Sequence, residues 1–353
     1  MISVGKNTVT PLKDESYIQI GAELDRKKDK KEIALLLLEF LNNNGYDILV
    51  PMNSPITISI IPFLNSDINV IQIVNSDTPR VYKYVTSHLA YISKIICISE
   101  KQVSVLSNYI TDVEDKLVLI PHGVKKHNVD VKSNKTNKLV IGYLGRLHQG
   151  HKGILTIPEV LKQLNFAFDF QIIGDGGDKD KFIQQLDLLG IDYTYYGFKD
   201  QDEILTIASK WDVLMFPSVI EGFGLTLIET MRLGIVPLAN RIAGVTNYIV
   251  QDAINGFIID TNQTTQYAKY INLLNTDREL LHQMKQAAKD RVDNCFNIDD
   301  VLRQYKNVFE GVKDFNKAPT VSTVNWVPYV EYKPSLYHRF LNKINRLFES
   351  VKA

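Results

Sequence analysis

Pro217-Ser218-Val219-Ile220-Glu221-Gly222-Phe223-Gly224-Leu225-Thr226-Leu227-Ile228-Glu229 is the stretch that decides how the rest of this 353-residue chain is read. The apolar run before it, Val213-Leu214-Met215-Phe216, reads as a buried strand that stops at Pro217-Ser218. Glu221-Gly222-Phe223-Gly224 then opens a helix that carries Glu229 on to Gly234. N–H groups at a helix N-terminus have no partner within the helix, and glycines let a ligand approach them closely, so the loop suits hydroxyl- or phosphate-bearing groups. Glu221 and Glu229 are eight residues apart. That is a little over two turns at ~3.6 residues per turn, so both can face one cleft at different depths. The plain alternative is a tight turn with two solvated glutamates, and the surrounding pattern argues against it.

Working outward, Leu139 to Gly145, Asp169 to Ile173, Tyr193 to Tyr196, Val213 to Phe216, Val236 to Ala239 and Phe257 to Ile259 read as strands separated by helices. The sites of interest fall at their carboxyl ends, where sheets of this kind bind ligands. Gly145-Arg146-Leu147 follows the first and Gly174-Asp175-Gly176-Gly177 the second; Gly197-Phe198 ends the third and Arg241-Ile242-Ala243-Gly244 follows the fifth. Upstream, Tyr17 to Gly21, Tyr46 to Val50, Val70 to Val74, Lys94 to Ile98 and Leu117 to Ile120 read as strands, with helices over Glu32 to Leu41, Thr78 to Ser93 and Glu100 to Ile110. Strand and helix alternating in this way predict two doubly wound α/β domains of Rossmann-like type. Polar Lys125 to Lys138 separates them as a linker. The expected boundaries are 1–137, 138–314 with its last helix, about 298–312, placed to cross back to the first domain, and a tail over 315–353.

Hydrophobic residues make up 45% of the chain and charged ones 23%, as in ordinary globular proteins. Forty basic residues balance forty acidic ones, so no global charge favours nucleic acid. Cys97 and Cys295 are the only cysteines. Two thiols so far apart argue against a disulfide framework or a Cys-based zinc site and for a reducing compartment. The start of the chain lacks an apolar signal region and no apolar run approaches the ~20 residues of a membrane span, so the expected location is cytoplasmic.

Arg146 and Lys152 share the loop after the first strand of the second domain. A guanidinium fork and a mobile ammonium converging on one point suit a diphosphate. His148 and His151 lie in the same loop with no acidic or Cys partner in sequence, which reads as solvated loop rather than metal site. His122, in Pro121-His122-Gly123, fits a structural or a ligand role equally.

Taken together, Gly145-Arg146-Leu147 with Lys152-Gly153, Ile173-Gly174-Asp175-Gly176, Gly197, the Pro217-Ser218-x-x-Glu221-Gly222-Phe223-Gly224 run with Glu229, and Gly234-Ile235-Val236-Pro237 leading to Gly244 closely resemble glycosyltransferase family 4. The match covers Leu139 to Asp260 well and extends weakly to Ile98-Ser99-Glu100 and Pro121-His122-Gly123. The resemblance implies the GT-B fold, two Rossmann-like domains facing across a cleft, here with a shortened N-terminal domain. It further implies transfer of a sugar from a nucleotide diphosphate sugar to a glycan or lipid-linked acceptor, with retention of configuration and without a required metal or other cofactor. Arg146, Lys152 and Glu221 would be catalytic, the two cations on the leaving diphosphate and Glu221 on the sugar. Glu229 would hold the ribose, and the N–H groups of Phe223, Gly224 and Leu225 would read sugar hydroxyls, with Gly222, Gly145 and Phe198 completing the donor site.

Where many relatives carry a sugar-facing histidine after a middle strand, this chain has Asn75. An amide donates and accepts hydrogen bonds but is no general base near neutral pH. In Ser335 to Val351, Leu336, Phe340, Ile344, Leu347, Phe348 and Val351 fall on one helical face beside Arg339, Lys343 and Arg346. Such a helix suits either docking on the protein itself or peripheral contact with the inner face of an anionic membrane. Two other readings stay open at this level: a catalytically silent GT-B partner or scaffold, and a nucleotide-sugar epimerase.

Overall fold

The computed structural model describes residues 2–3, 18–19, 29–52, 54–110, 113–126 and 138–312. The expected tail 315–353, with its helix over Ser335 to Val351, lies outside them, as does most of the linker Lys125 to Lys138. The described residues form two compact units, one of 2–3, 18–19, 29–52, 54–72 and 79–93, the other of 73–78, 94–110, 113–126 and 138–312.

The first unit holds β1 (Ile2–Ser3) and β2 (Ile18–Gln19), paired in parallel, then α1 (Lys30–Asn43), β3 (Ile48–Leu49), α2 (Pro55–Ser59), β4 (Asn69–Val74) and α3 (Pro79–Thr86). The last two residues of β4 belong to the second unit. β3 and β4 run parallel, with Ile48 opposite Asn69. Ala34, Leu37, Leu38 and Leu41 recur at helical spacing and are the buried face of α1. Asn42 fastens the end of α1 to the chain beyond α2, accepting from the Asn65 N–H at 2.9 Å and donating to Phe63 O at 3.3 Å.

The second unit continues with β5 (Lys94–Cys97), α4 (Glu100–Ser107), α5 (Val113–Lys116) and β6 (Leu117–Leu119), β5 and β6 being parallel. After them come β7 (Leu139–Leu144), α6 (Gln149–Lys152), α7 (Thr156–Leu161), β8 (Phe168–Ile173), α8 (Lys179–Leu188), β9 (Thr194–Gly197), α9 (Gln201–Ala208), β10 (Val213–Phe216), α10 (Leu225–Arg232), β11 (Val236–Asn240), α11 (Thr246–Ile249), β12 (Phe257–Ile259), α12 (Thr264–Thr276), α13 (Arg278–Cys295) and α14 (Ile298–Glu310).

These strands form one parallel sheet in the order β12-β11-β10-β7-β8-β9. Chain order therefore reverses between β7 and β10, and a crevice opens outside the carboxyl ends at such a switch point. The pleat of β7 shows why helices cover both faces. Leu139, Ile141 and Tyr143 enter a core with Ile157 of α7, Phe182 of α8 and Tyr267 of α12. Val140 points the other way, into a core with Leu227 and Met231 of α10 and Val292 of α13. A strand buried on both faces reads as a continuous apolar run, which is what Val213 to Phe216 and Val236 to Ala239 are. The centre of the sheet is crowded: a Cβ on Gly142 would lie 2.0 Å from the Trp211 ring, whose Nε1 donates to Gln171 Oε1 at 2.8 Å.

Candidate active site

The loops after β7 and β10 meet at the switch point. After β7, Gly145 to His148 leads into the single turn of α6, which the sequence read as loop. Its ends are fixed locally: His148 Nδ1 accepts the His151 N–H at 3.2 Å, and Asp178 Oδ2 accepts that of Gln149 at 2.7 Å. The turn closes on Gly153 in a left-handed conformation, φ 61°. A Cβ there would sit 2.2 Å from the carbonyl oxygen of Pro217, so only glycine lets the two loops approach this closely. His148 thus serves as a cap. Among the described residues no three His, Cys, Asp or Glu side chains gather in a way that could hold a metal ion.

The loop after β10 is tied to α6 by two N–H groups, those of Val219 and Ile220, which donate to His151 O at 2.9 and 3.3 Å. The result is a contact between Lys152 and Glu221: Lys152 Nζ lies 2.5 Å from Glu221 Oε1, with side-chain exposures of 25% and 12%. The ammonium also stands 5.7 Å over the Phe216 ring. It has three donors, so the contact with Glu221 leaves others available to a ligand. Beneath them Tyr143 is buried, its hydroxyl donating to Arg146 O at 2.9 Å. Burial, and secondly the Glu221 charge, push this phenol far above its ordinary range, so it stays a neutral donor.

Arg146 differs from expectation. Its side chain is exposed and has no hydrogen-bond or ion-pair partner among the described residues. Lys152 pairs with Glu221, and the Arg146 side chain joins neither of them.

The helix also begins later than the sequence suggested. Glu221 to Phe223 are loop, Gly224 is the N-cap at φ 101°, and α10 starts at Leu225. The Phe223 side chain is buried, edge-on to His122 at 5.3 Å and to Phe296 at 5.9 Å between centroids, so only its backbone faces a ligand. That ring contact gives His122 a packing role, and burial lowers its pKa, favouring the neutral form. The N–H groups of Phe223 and Gly224 donate to no acceptor among the described residues, and that of Leu225 precedes the helical ladder. Three donors of this kind at a helix start are a ready site for hydroxyl or anionic oxygen.

Two turns on, Glu229 lines a pocket of ≈ 270 Å³ with Gly123, Val124, Lys125, Gln201, Leu205, Leu225 and Arg232. Burial raises its pKa, opposed by the Gln201 amide. So the two glutamates separate: Glu221 beside Lys152, Glu229 in an apolar-walled pocket. Phe198, just past β9, is 84% exposed, an unusual state for a phenylalanine. Asn75 reaches the same loop through its backbone, its carbonyl oxygen 3.3 Å from where a Cβ on Gly222 would stand. Two residues on, Asp77 is ion-paired with Lys101 at 2.5 Å, and the Lys101 N–H donates to Gly244 O at 3.2 Å.

Sequence reasoning missed the support beneath the loop. Asn240, Thr246 and Tyr267 are buried polar residues that bond one another and the Pro217 carbonyl. The available signal was an Asn closing an otherwise apolar strand, Val236 to Ala239.

The strand order, the site at the switch point and the comparison with solved structures together define a GT-B fold, an α/β architecture of two Rossmann-like domains. A glycosyltransferase from Rickettsia africae ESF-5 superposes with a TM-score of 0.73 at 20% identity, covering 89% of this chain and 90% of that one. Residues 124–291, which include the loops from Gly145 to Glu229, match the model of the family Glycosyl transferases group 1. Among curated proteins, an uncharacterized 41.2 kDa protein in the cps region of Klebsiella pneumoniae is 25% identical over 219 residues, 60% of this chain and 56% of that protein. The UDP-Gal:alpha-D-GlcNAc-diphosphoundecaprenol alpha-1,3-galactosyltransferase of Escherichia coli is 26% identical over 251 residues, 65% of this chain and 63% of the enzyme. Both matches span less than two thirds of the relative's own length.

Proposed function

We propose that this chain is a retaining glycosyltransferase of family 4, moving a hexose from a nucleotide diphosphate sugar to a glycan or lipid-linked acceptor without a metal. The observation that carries the reading is the Lys152–Glu221 pair at 2.5 Å, set beside three N–H groups at the start of α10, with Glu229 two turns away in its own pocket. That spacing fits an elongated donor: ribose at Glu229, diphosphate at Lys152, sugar along Glu221 and the backbone of Phe223 to Leu225. Leu205, Leu225 and the exposed Phe198 supply apolar surface for a base. The UDP-sugar named for the Escherichia coli relative supports a uracil nucleotide as the first to test.

In this reading the bond from the anomeric carbon to the diphosphate oxygen breaks, with its electron pair leaving on the diphosphate. Lys152 stands where that charge develops, and the exposed Arg146 closes on the phosphates when the donor binds. The acceptor oxygen bonds to the same face of the sugar and its proton passes to the leaving diphosphate. No side-chain base is then required, which suits an amide at Asn75. Residues 138–314 carry most of the donor side, with Gly123, Val124 and Lys125 lining its ribose pocket, and the rest of 1–137 forms the acceptor side. The protein works in the cytoplasm at the inner face of a membrane, held there peripherally through Ser335 to Val351. No helix among the described residues is long and apolar enough to cross a membrane.

The test is turnover of a panel of nucleotide diphosphate hexoses with a chelator present, the product anomer being read by NMR. Turnover with retained configuration, lost in Glu221→Ala and Lys152→Ala, is expected. A folded wild-type protein that binds no nucleotide diphosphate supports the scaffold reading, and C-epimerised donor without transfer supports the epimerase.

A further inference from the structure

We infer that Asn240, through Tyr267, is a positioning residue for the transfer step, setting the place of Glu221 without touching the donor; this rests on the donor-site reading above. The sheet delivers Asn240 to the carboxyl end of β11, next to β10 and its loop. Its side chain is 1% exposed and points back at that loop, Nδ2 donating to the Pro217 carbonyl oxygen at 2.7 Å. The orientation of the amide is fixed by its partners. A carbonyl oxygen only accepts, so the NH₂ must face Pro217, and Oδ1 then accepts the Tyr267 hydroxyl at 3.0 Å. Thr246 Oγ1 donates to Asn240 O at 2.7 Å and accepts the Ile242 N–H at 2.7 Å, which fixes the backbone of Asn240 as well.

Pro217 has no N–H and its carbonyl is the first acceptor of the loop that carries Glu221. Its oxygen is held by Asn240, and Val219 and Ile220 are held by His151 O, so the loop is fastened at two points before Glu221. Lys152 has supports besides this loop, because α6 is capped by His148 and Asp178 and closes on Gly153. So has Glu229, whose helix is seated by buried Leu227, Ile228 and Met231. Loosening Asn240 therefore moves the sugar-facing carboxylate more than the ribose and diphosphate contacts, which have supports of their own. Nucleotide binding and catalysis should separate.

The variants are Asn240→Asp, which turns the donor toward Pro217 O into a repelling acceptor, and Tyr267→Phe, which removes the hydroxyl that donates to Asn240 Oδ1 at 3.0 Å and to Phe216 O at 3.4 Å. Melting temperature confirms folding. Expected is a fall in kcat of about 10²-fold for Asn240→Asp, as for a misplacement of order 1 Å, and a smaller fall for Tyr267→Phe, with UDP affinity by calorimetry within about 2-fold of wild type. Hydrogen exchange should show the Val219 and Ile220 amides less protected in both variants while those of α10 are unchanged. Unchanged kcat in folded variants, or a loss of UDP affinity that parallels the loss of kcat, overturns the inference. If the wild type binds no UDP and turns over no donor, the donor reading fails, and the exchange measurement still decides whether Asn240 fixes the loop: unchanged protection overturns that too.

Discussion

Adding one methyl group at Gly153 should disable the site while leaving the domain folded. Two costs arise. The residue sits at φ 61°, a left-handed conformation that costs a residue with a Cβ about 1–2 kcal/mol. The new Cβ would also lie 2.2 Å from Pro217 O, and an ordinary contact requires it to retreat by roughly 1 Å. Gly190 is a matched control, with φ 64° and nothing within 4 Å of its Cβ position. Gly190→Ala therefore bears the conformational cost alone, a loss of a few degrees in Tm for a unit of this size, and full activity. Gly153→Ala bears the same strain and in addition pushes Pro217, and with it Glu221, out of place, for which about 10²-fold in kcat/KM is expected. The assays are thermal melting and donor turnover on both variants. Equal activity in the two would refute the reasoning, because it would mean the approach of α6 to Pro217 does not set the geometry of Lys152 and Glu221.

Three other outcomes follow from the same contacts. Glu229 has its pKa raised by burial from 4.5, so the folded state binds its proton more tightly than the unfolded chain and stability falls as pH rises through the folded pKa. Glu229→Gln should thus raise Tm near pH ~7, with the gain vanishing below the unfolded pKa, while UDP affinity drops. Phe198→Ala should leave Tm unchanged at an 84% exposed position, and lower UDP affinity by roughly 5- to 100-fold if the ring stacks on the base. Asp212 accepts the Val140 N–H at 2.9 Å and pairs with Lys285, so Asp212→Ala should destabilise by about 2–4 kcal/mol in urea melts without altering UDP affinity in the folded protein.

How much could be read beforehand depends on whether the cause was local. The strands Val213 to Phe216 and Phe257 to Ile259 were legible because both faces are buried, leaving unbroken apolar runs with the predicted ends. The start of α10 was not. Gly-Phe-Gly contains no side chain that caps a helix, and the start at Leu225 is set by Phe223 locking against His122 and Phe296, which only the fold brings near. α6 escaped for a similar reason: one turn has no periodicity, and its cap is the unusual His148. Lys152, Glu221 and Glu229 are legible from loop chemistry, and the parallel sheet supplies the reason two of them meet. Arg146 stands out by the same chemistry, but nothing in its local sequence indicates which way an exposed arginine turns. Asn240 and Tyr267 are 27 residues apart and matter only through the loop they support.

Calorimetric titration with UDP of the wild type, Lys152→Ala and Glu229→Ala tests the donor site most directly. The account predicts one saturable site in the wild type, weakened by both substitutions although the residues stand on different elements. A wild type that shows no binding, or binding that neither substitution changes, would contradict it.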